Sequence, residues 1–283
     1  MSFGPRPRVV DADGVPMSAL VAEVQQPRAV IVALPGEGAT ASYFDCPSYP
    51  SLSLLRIGAA TGFTVVALDR PGYGSSAPYP QASICPEQRV QFAYSALDRL
   101  LGERPQGAGI FLLAHSRGCE LALRMAAHPR GAHLLGMELA GSGLHYQPDH
   151  AVAEKASTAH LYPPEAPTRI THPPAVAGYE TALASDWSHH TFPALAAQVS
   201  APVQFSVAEF EQLWRCDPLA LAEIAALFSA CPRFVINHHP GAGHHLSLGY
   251  TAAAYHLQLL SFVEQCVVAQ ERAVSEITAP LPA

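Results

Sequence analysis

Gly109-Ile110-Phe111-Leu112-Leu113-Ala114-His115-Ser116-Arg117-Gly118-Cys119-Glu120-Leu121-Ala122-Leu123 is the stretch that decides the fold. Its first part, Gly109–Ala114, is an unbroken apolar run of strand length. Its second part, from Arg117 to about Ala127, reads as a helix. A chain that passes from strand to helix over so few residues must turn sharply, and the small residues Ala114 and Gly118 allow it. Ser116 stands at the tip of the turn. Such a turn lifts the hydroxyl clear of the sheet and aims the N-terminus of the helix at whatever the serine attacks.

Outward from this elbow, strand and helix alternate. Val15–Val24, after the turn signal Asp11-Ala12-Asp13-Gly14, and Ala29–Leu34 read as early strands. Leu52–Ala60 reads as a short helix stopped by Gly62, Phe63–Leu68 as a strand, Pro86 to about Leu101 as a helix, and Leu134–Leu139 as a strand. The alternation then stops from Gly143 to about Ser200, where Pro148, Pro163, Pro164, Pro167, Pro173, Pro174 and Pro193 fall among many His and Tyr residues. It resumes with Pro202–Val207 as strand, Asp217–Ser229 as helix, Arg233–Asn237 as strand and Tyr250–Gln270 as a closing helix. Past Arg272 the tail reads as loose. Unbroken apolar strands between helices are the pattern of a mostly parallel sheet covered on both faces. The expected organisation is one α/β core made of residues 1–142 and 201–283, interrupted by an insertion over 143–200.

Composition narrows the function classes. The 283 residues are 49% hydrophobic and 14% charged, which suits a large packed core, and the formal charge of −7 argues against a nucleic-acid surface. The six cysteines are scattered without a C-x-x-C pair and read as mostly buried thiols. No run approaches the roughly 18 apolar residues of a membrane span, and Met1 to Arg8 has no apolar stretch of the secretory type. A cytoplasmic protein with no membrane partner is the expectation.

With the elbow in place, the chain resembles the α/β-hydrolase superfamily along nearly its whole length. Leu34-Pro35-Gly36-Glu37-Gly38 closes an early strand where that family has its His-Gly oxyanion loop. Asp69-Arg70-Pro71-Gly72-Tyr73-Gly74-Ser75-Ser76 resembles its D-x-P-G-x-G-x-S segment. Pro202–Val207 is similar to the strand that leads to its acid, and Pro240-Gly241-Ala242-Gly243-His244 to its histidine loop. The resemblance implies an eight-stranded, mostly parallel sheet with a cap insertion and a serine-acid-histidine triad. A serine hydroxyl needs a neighbouring base, and imidazole has the right pKa and reach. His244 is the expected base; adjacent His245 is the lesser choice. Counting from Pro202 as the family does puts the acid at Glu211, with Glu209 as the alternative and Asp186 or Asp217 behind both. The oxyanion donors implied are the backbone N–H groups of Glu37 and Arg117; for the two side chains an ion pair is one hypothesis, and independent exposure to solvent is the other. Pro35 departs from the family, which has a histidine there, and so changes how the loop is braced. His115 is read as a packed elbow residue and Asp69 as structural.

The insertion would cap the elbow. His145, Tyr146, Tyr162 and Trp187 are the pocket candidates, with His160, Tyr179, His189 and His190 also in view. The competing reading is that they simply pack the cap onto the core. The adjacent His-His pairs do not converge readily on one ion, so no metal and no cofactor are expected. The reading is a serine hydrolase acting on an ester, thioester or lactone of a small to medium apolar acyl substrate. Two alternatives are the same triad used for C–C cleavage, lyase, cyclase or acyl-transfer chemistry, and a non-catalytic ligand-binding protein on this fold. A homodimer is compatible with the sequence.

Overall fold

A computed structural model describes residues 4–80, 82, 85–148, 158–170, 180 and 186–278. Its strands are β1 (Arg6–Ala12), β2 (Val15–Ala22), β3 (Val30–Leu34), β4 (Thr64–Leu68), β5 (Ile110–His115), β6 (Gly136–Ala140), β7 (Val203–Phe210) and β8 (Phe234–Gly243). They form one eight-stranded sheet in the order β1-β2-β4-β3-β5-β6-β7-β8. β2 pairs antiparallel with β1 and β4, and every pairing from β4 to β8 is parallel.

Side-chain alternation along the central strands feeds two cores. Val30, Val32 and Leu34 of β3 face one apolar cluster, shared with α2 (Pro86–Leu101), α3 (Gly118–Ala127) and α5 (Pro218–Leu227). Ile31 and Ala33 face the other, shared with α1 (Leu54–Ala60) and α6 (Ala252–Thr278). Both faces being covered is why β3, β4 and β6 read as unbroken apolar runs: every residue in them is buried. Between β6 and β7 the described chain is made of short turns and one helical stretch, in which a π-helical turn, Trp187–Thr191, runs directly into α4 (Phe192–Ala196).

Three elements differ from the sequence reading. β1 was not anticipated, because its burial pattern is almost wholly exposed and it carries Pro7; it is an edge strand held by a tight hairpin at Asp13-Gly14. β8 runs on through Gly243, well past the expected end at Asn237, so His238 and His239 lie within the strand. α6 extends past Arg272 to Thr278, and Arg28 ties its outer face through Glu264 and Glu271 at 2.5 and 2.7 Å. Of the six thiols, Cys46, Cys119 and Cys266 are buried, while Cys85, Cys216 and Cys231 are only half-buried. No helix among the described residues is long and apolar enough to cross a membrane.

Strand order reverses direction between β3 and β5, which opens a crevice at their carboxyl ends. The loop after β3 and the turn after β5 both end there.

Candidate active site

Ser116 follows β5 directly and has φ +52°, one of two described non-glycine residues with positive φ. That conformation costs on the order of 1–2 kcal/mol in an L-residue and has to be held by its surroundings. The Ser116 N–H donates to the Ala140 carbonyl at 2.8 Å, and the Cys119 N–H donates back to the Ser116 carbonyl at 2.9 Å, opening α3. Gly118 is obligatory, since a Cβ there would stand 2.4 Å from the Leu34 carbonyl oxygen. A Cβ on Gly36 would come within 3.0 Å of Ser116 Cβ, so the loop after β3 lies directly against the elbow.

The remaining chemistry converges from the far half of the sheet. His244 stands one residue past β8. Its Nε2 is 3.3 Å from Ser116 Oγ, and its Nδ1 is 3.0 and 2.9 Å from the two oxygens of Glu211. Glu211 stands one residue past β7, with its side chain 4% exposed. Burial opposes its ionisation. The charge and hydrogen bond of His244, with the N–H groups of Leu213 and Trp214, outweigh burial and hold its pKa below the ordinary carboxylate value. Glu209 lies elsewhere and accepts the Gly241 N–H at 2.7 Å. Asp217 caps α5, and Asp186 accepts from the Thr191 hydroxyl. Such a serine-histidine-carboxylate chain can move a proton from hydroxyl to imidazole while the carboxylate fixes the tautomer.

The model of the alpha/beta hydrolase family matches residues 31–255. The chain belongs to that family. Among curated protein sequences none is significantly similar to it. Solved structures share this hydrolase fold at low identity. E-2-(acetamidomethylene)succinate hydrolase superposes with a TM-score of 0.67 at 16% identity, over 92% of this chain and 99% of that one. A thermostable carboxyl esterase from Bacillus coagulans does so with a TM-score of 0.64 at 13% identity, over 94% and 99%. A serine hydrolase involved in carbazole degradation gives 0.63 at 16% identity, over 93% and 100%.

In this member of the family His115 does more than pack. Its Nε2 is 2.9 Å from the His244 carbonyl oxygen, which can only accept, so Nε2 carries the proton. Its ring stacks on Tyr43 at 4.7 Å. Burial, with His244 and His245 nearby, holds it far below the ordinary histidine range and therefore neutral. The imidazole nitrogens of His115, His244 and His245 lie within 4.8 Å of one another, a spacing that could gather round a cation. The nitrogens of His244 already face Ser116 and Glu211, and Nε2 of His115 already faces a carbonyl.

Ser116 and His244 open into a cavity of about 400 Å³, bordered from the β6–β7 connection by Thr158, Tyr162 and Ile170. A second cavity of about 300 Å³ adjoins it across Tyr162, Ile170 and His245, walled by Ala166, Leu248 and prolines. Tyr162 is thus placed in the pocket, and its hydroxyl accepts the His245 N–H at 3.2 Å. Two of the other pocket candidates, His145 and Tyr146, do not line the pocket. His145 Nε2 is 2.7 Å from Glu223 at the surface, and Tyr146 stacks on Trp214 at 4.3 Å. Trp187 stacks on Phe192 and borders a separate small void beside Ser116. His189 and His190 are exposed, and Tyr179 lies outside the described residues. At the mouth, Arg117 Nε is 3.5 Å from Glu37 Oε2, an ion pair whose glutamate is 57% exposed and which therefore adds little stability. Sequence reading missed Arg70 and Tyr73, which hydrogen-bond to the Gly36–Gly38 loop; the signal available was the charged pair Asp69-Arg70 set directly after the buried strand β4.

Proposed function

We propose that this protein is a serine hydrolase that cleaves a carboxylic ester, thioester or lactone of a small to medium apolar substrate. The observation that carries the reading is the continuous contact from Ser116 Oγ through His244 to Glu211 at the floor of a substrate-sized cavity. His244 Nε2 takes the hydroxyl proton as Ser116 attacks the carbonyl carbon, and Glu211 stabilises the imidazolium that forms. The backbone N–H groups of Glu37 and Arg117 receive the negative oxygen of the tetrahedral intermediate. His244 then gives the proton to the leaving oxygen or sulfur, and water activated at the same nitrogen releases the acid from Ser116. A distance of 3.3 Å between hydroxyl and imidazole is normal before substrate closes the site. Residues 143–200 act as the cap in this scheme, with Tyr162 and Ile170 walling the pocket. Six cysteines without a disulfide suit a reducing cytoplasm.

A fluorophosphonate should leave a single adduct on the wild type, mapped to Ser116 by mass spectrometry and absent from Ser116→Ala. An intact, folded wild type that takes up no adduct, even from a small probe, would remove the hydrolase reading and favour a ligand-binding protein.

The apolar second cavity fits the tail of the substrate. Ala166→Leu should reduce kcat/KM for p-nitrophenyl octanoate about tenfold while leaving the acetate ester within twofold, because filling an apolar pocket costs about 1–3 kcal/mol for the group it displaces. Equal losses on both esters would put the tail elsewhere.

A further inference from the structure

We infer that Arg70 is a positioning residue that aims the oxyanion donor at Glu37, acting on the same peptide group from behind; this rests on the hydrolase reading above. The donor N–H of Glu37 and the carbonyl of Gly36 belong to one peptide unit. In a trans peptide, C=O and N–H point in opposite directions, and no described bond is cis. Whatever fixes the Gly36 oxygen therefore fixes where the Glu37 N–H points.

Arg70 fixes it. One guanidinium nitrogen donates to the Gly36 oxygen at 2.8 Å. The same oxygen closes a turn by accepting the Ala39 N–H at 3.3 Å, so the carbonyl is held from two sides. A cationic donor also polarises the amide it touches, which makes the N–H on its other side a stronger donor. The next peptide is pinned too, since the Gly38 N–H donates to the Tyr73 hydroxyl at 3.2 Å. Both flanks of Glu37 are thus tied to the Asp69–Ser76 segment. Pro35 stands where the resembling family has its histidine, and Arg70 with Tyr73 supplies the brace from another direction.

A guanidinium only 1% exposed cannot remain there unpaired. Its counter-ion comes from the insertion: Glu180 Oε1 is 2.6 Å from Arg70, and Glu180 Oε2 accepts the Tyr73 hydroxyl at 2.8 Å. The Arg70 guanidinium also lies 4.3 Å over the Tyr73 ring. Arg70, Tyr73 and Glu180 form one closed unit whose outward product is the orientation of a single N–H.

The test pairs Arg70→Met with Glu180→Gln, so that no buried charge is left alone, and adds Tyr73→Phe as a milder lesion. Steady-state hydrolysis of p-nitrophenyl acetate should lose about 10–100-fold in kcat in the double variant, with KM within about twofold, since a donor is misaimed rather than removed. Affinity for phenylboronic acid, whose serine adduct is a tetrahedral anion, should fall by a similar factor. Tyr73→Phe should show the same split at about 3–10-fold, and it decides the matter should the double variant not fold. Unchanged kcat in the folded variants, or a loss confined to KM, overturns the inference while leaving the hydrolase reading intact. A wild type that neither turns over nor labels overturns both.

Discussion

Ser116→Ala is expected to lower kcat on p-nitrophenyl acetate by about 10⁴–10⁶, with KM changed little. The hydroxyl is the bond-forming group, so what remains without it is catalysis by binding and the oxyanion donors, about 10³-fold or more over water. At 1.36 kcal/mol per tenfold, the loss corresponds to about 5–8 kcal/mol of transition-state stabilisation. His244→Ala should cost nearly as much, and the Ser116/His244 double variant no more than either single one, because the two act as a unit. Glu211→Gln should cost about 10²–10⁴: the amide can still contact the ring but cannot balance the imidazolium. Glu209→Gln separates the acids, since its carboxylate serves only to hold the Gly241 N–H and activity should stay within about threefold. Stopped-flow hydrolysis with active-site titration measures all five. A Ser116→Ala protein retaining a tenth of the wild-type rate would end the serine mechanism.

The choice between Glu211 and Glu209 shows where the sequence runs out. With a period of two along a strand, residues 209 and 211 share a face, so alternation alone cannot tell them apart. The distinction arises from a register shift in which β7 advances two residues, Ala208 to Phe210, while β8 advances four, His239 to Gly243, so that Glu209 meets Gly241 in the bulged part of β8. The Leu213 N–H then anchors Glu211 beside His244. By contrast, the elbow was legible because its physics is local: an apolar strand, a small residue on each side of the turn, and a helix within a few positions. The parallel core was legible because burial on both faces leaves an unbroken apolar run. β1 was not, for an exposed edge strand carries no apolar signal, although a two-residue Asp-Gly turn implies a strand on each side. The Arg70–Glu180 pair joins residues 110 positions apart and leaves no local pattern. His145 and Tyr146 failed as pocket residues for a related reason. Aromatic content marks an insertion as adhesive, but whether a ring faces the cavity or a neighbour such as Trp214 is decided by tertiary packing.

Folding stability is expected to peak near pH 6.5 and to fall on both sides, driven by a layer of buried ionisable groups behind the site. Glu138 on β6 is fully buried, with Tyr255 Oη 3.4 Å from its Oε1, and desolvation pushes its pKa up to about 8. His239 Nε2 is 2.9 Å from Ser206 Oγ, and His256 Nε2 is 3.0 Å from Ser247 Oγ. Burial lowers these two to about 4 and about 3. Glu138 is protonated when folded and ionised when unfolded between its unfolded value, near 4.5, and about 8. Across that window the unfolded chain binds fewer protons, and stability falls as pH rises. The histidines have depressed folded values, so their contribution is complete above about 6.5 and is lost as pH drops through their folded values. Each group contributes a slope of about 1.4 kcal/mol per pH unit. From pH 4.5 to 6.5 two histidines oppose one carboxyl and stability rises. From 6.5 to 8 Glu138 acts alone among these three, and about 2 kcal/mol is lost. Glu138→Gln should therefore flatten the alkaline limb and, by removing the opposing carboxyl, steepen the rise from pH 4.5 to 6.5, so that its gain over wild type grows with pH up to about 8. Urea unfolding at pH 5, 6.5 and 8 measures this directly; a wild type and variant that run parallel from 6.5 to 8 would mean that Glu138 ionises in the folded protein as readily as in the unfolded chain.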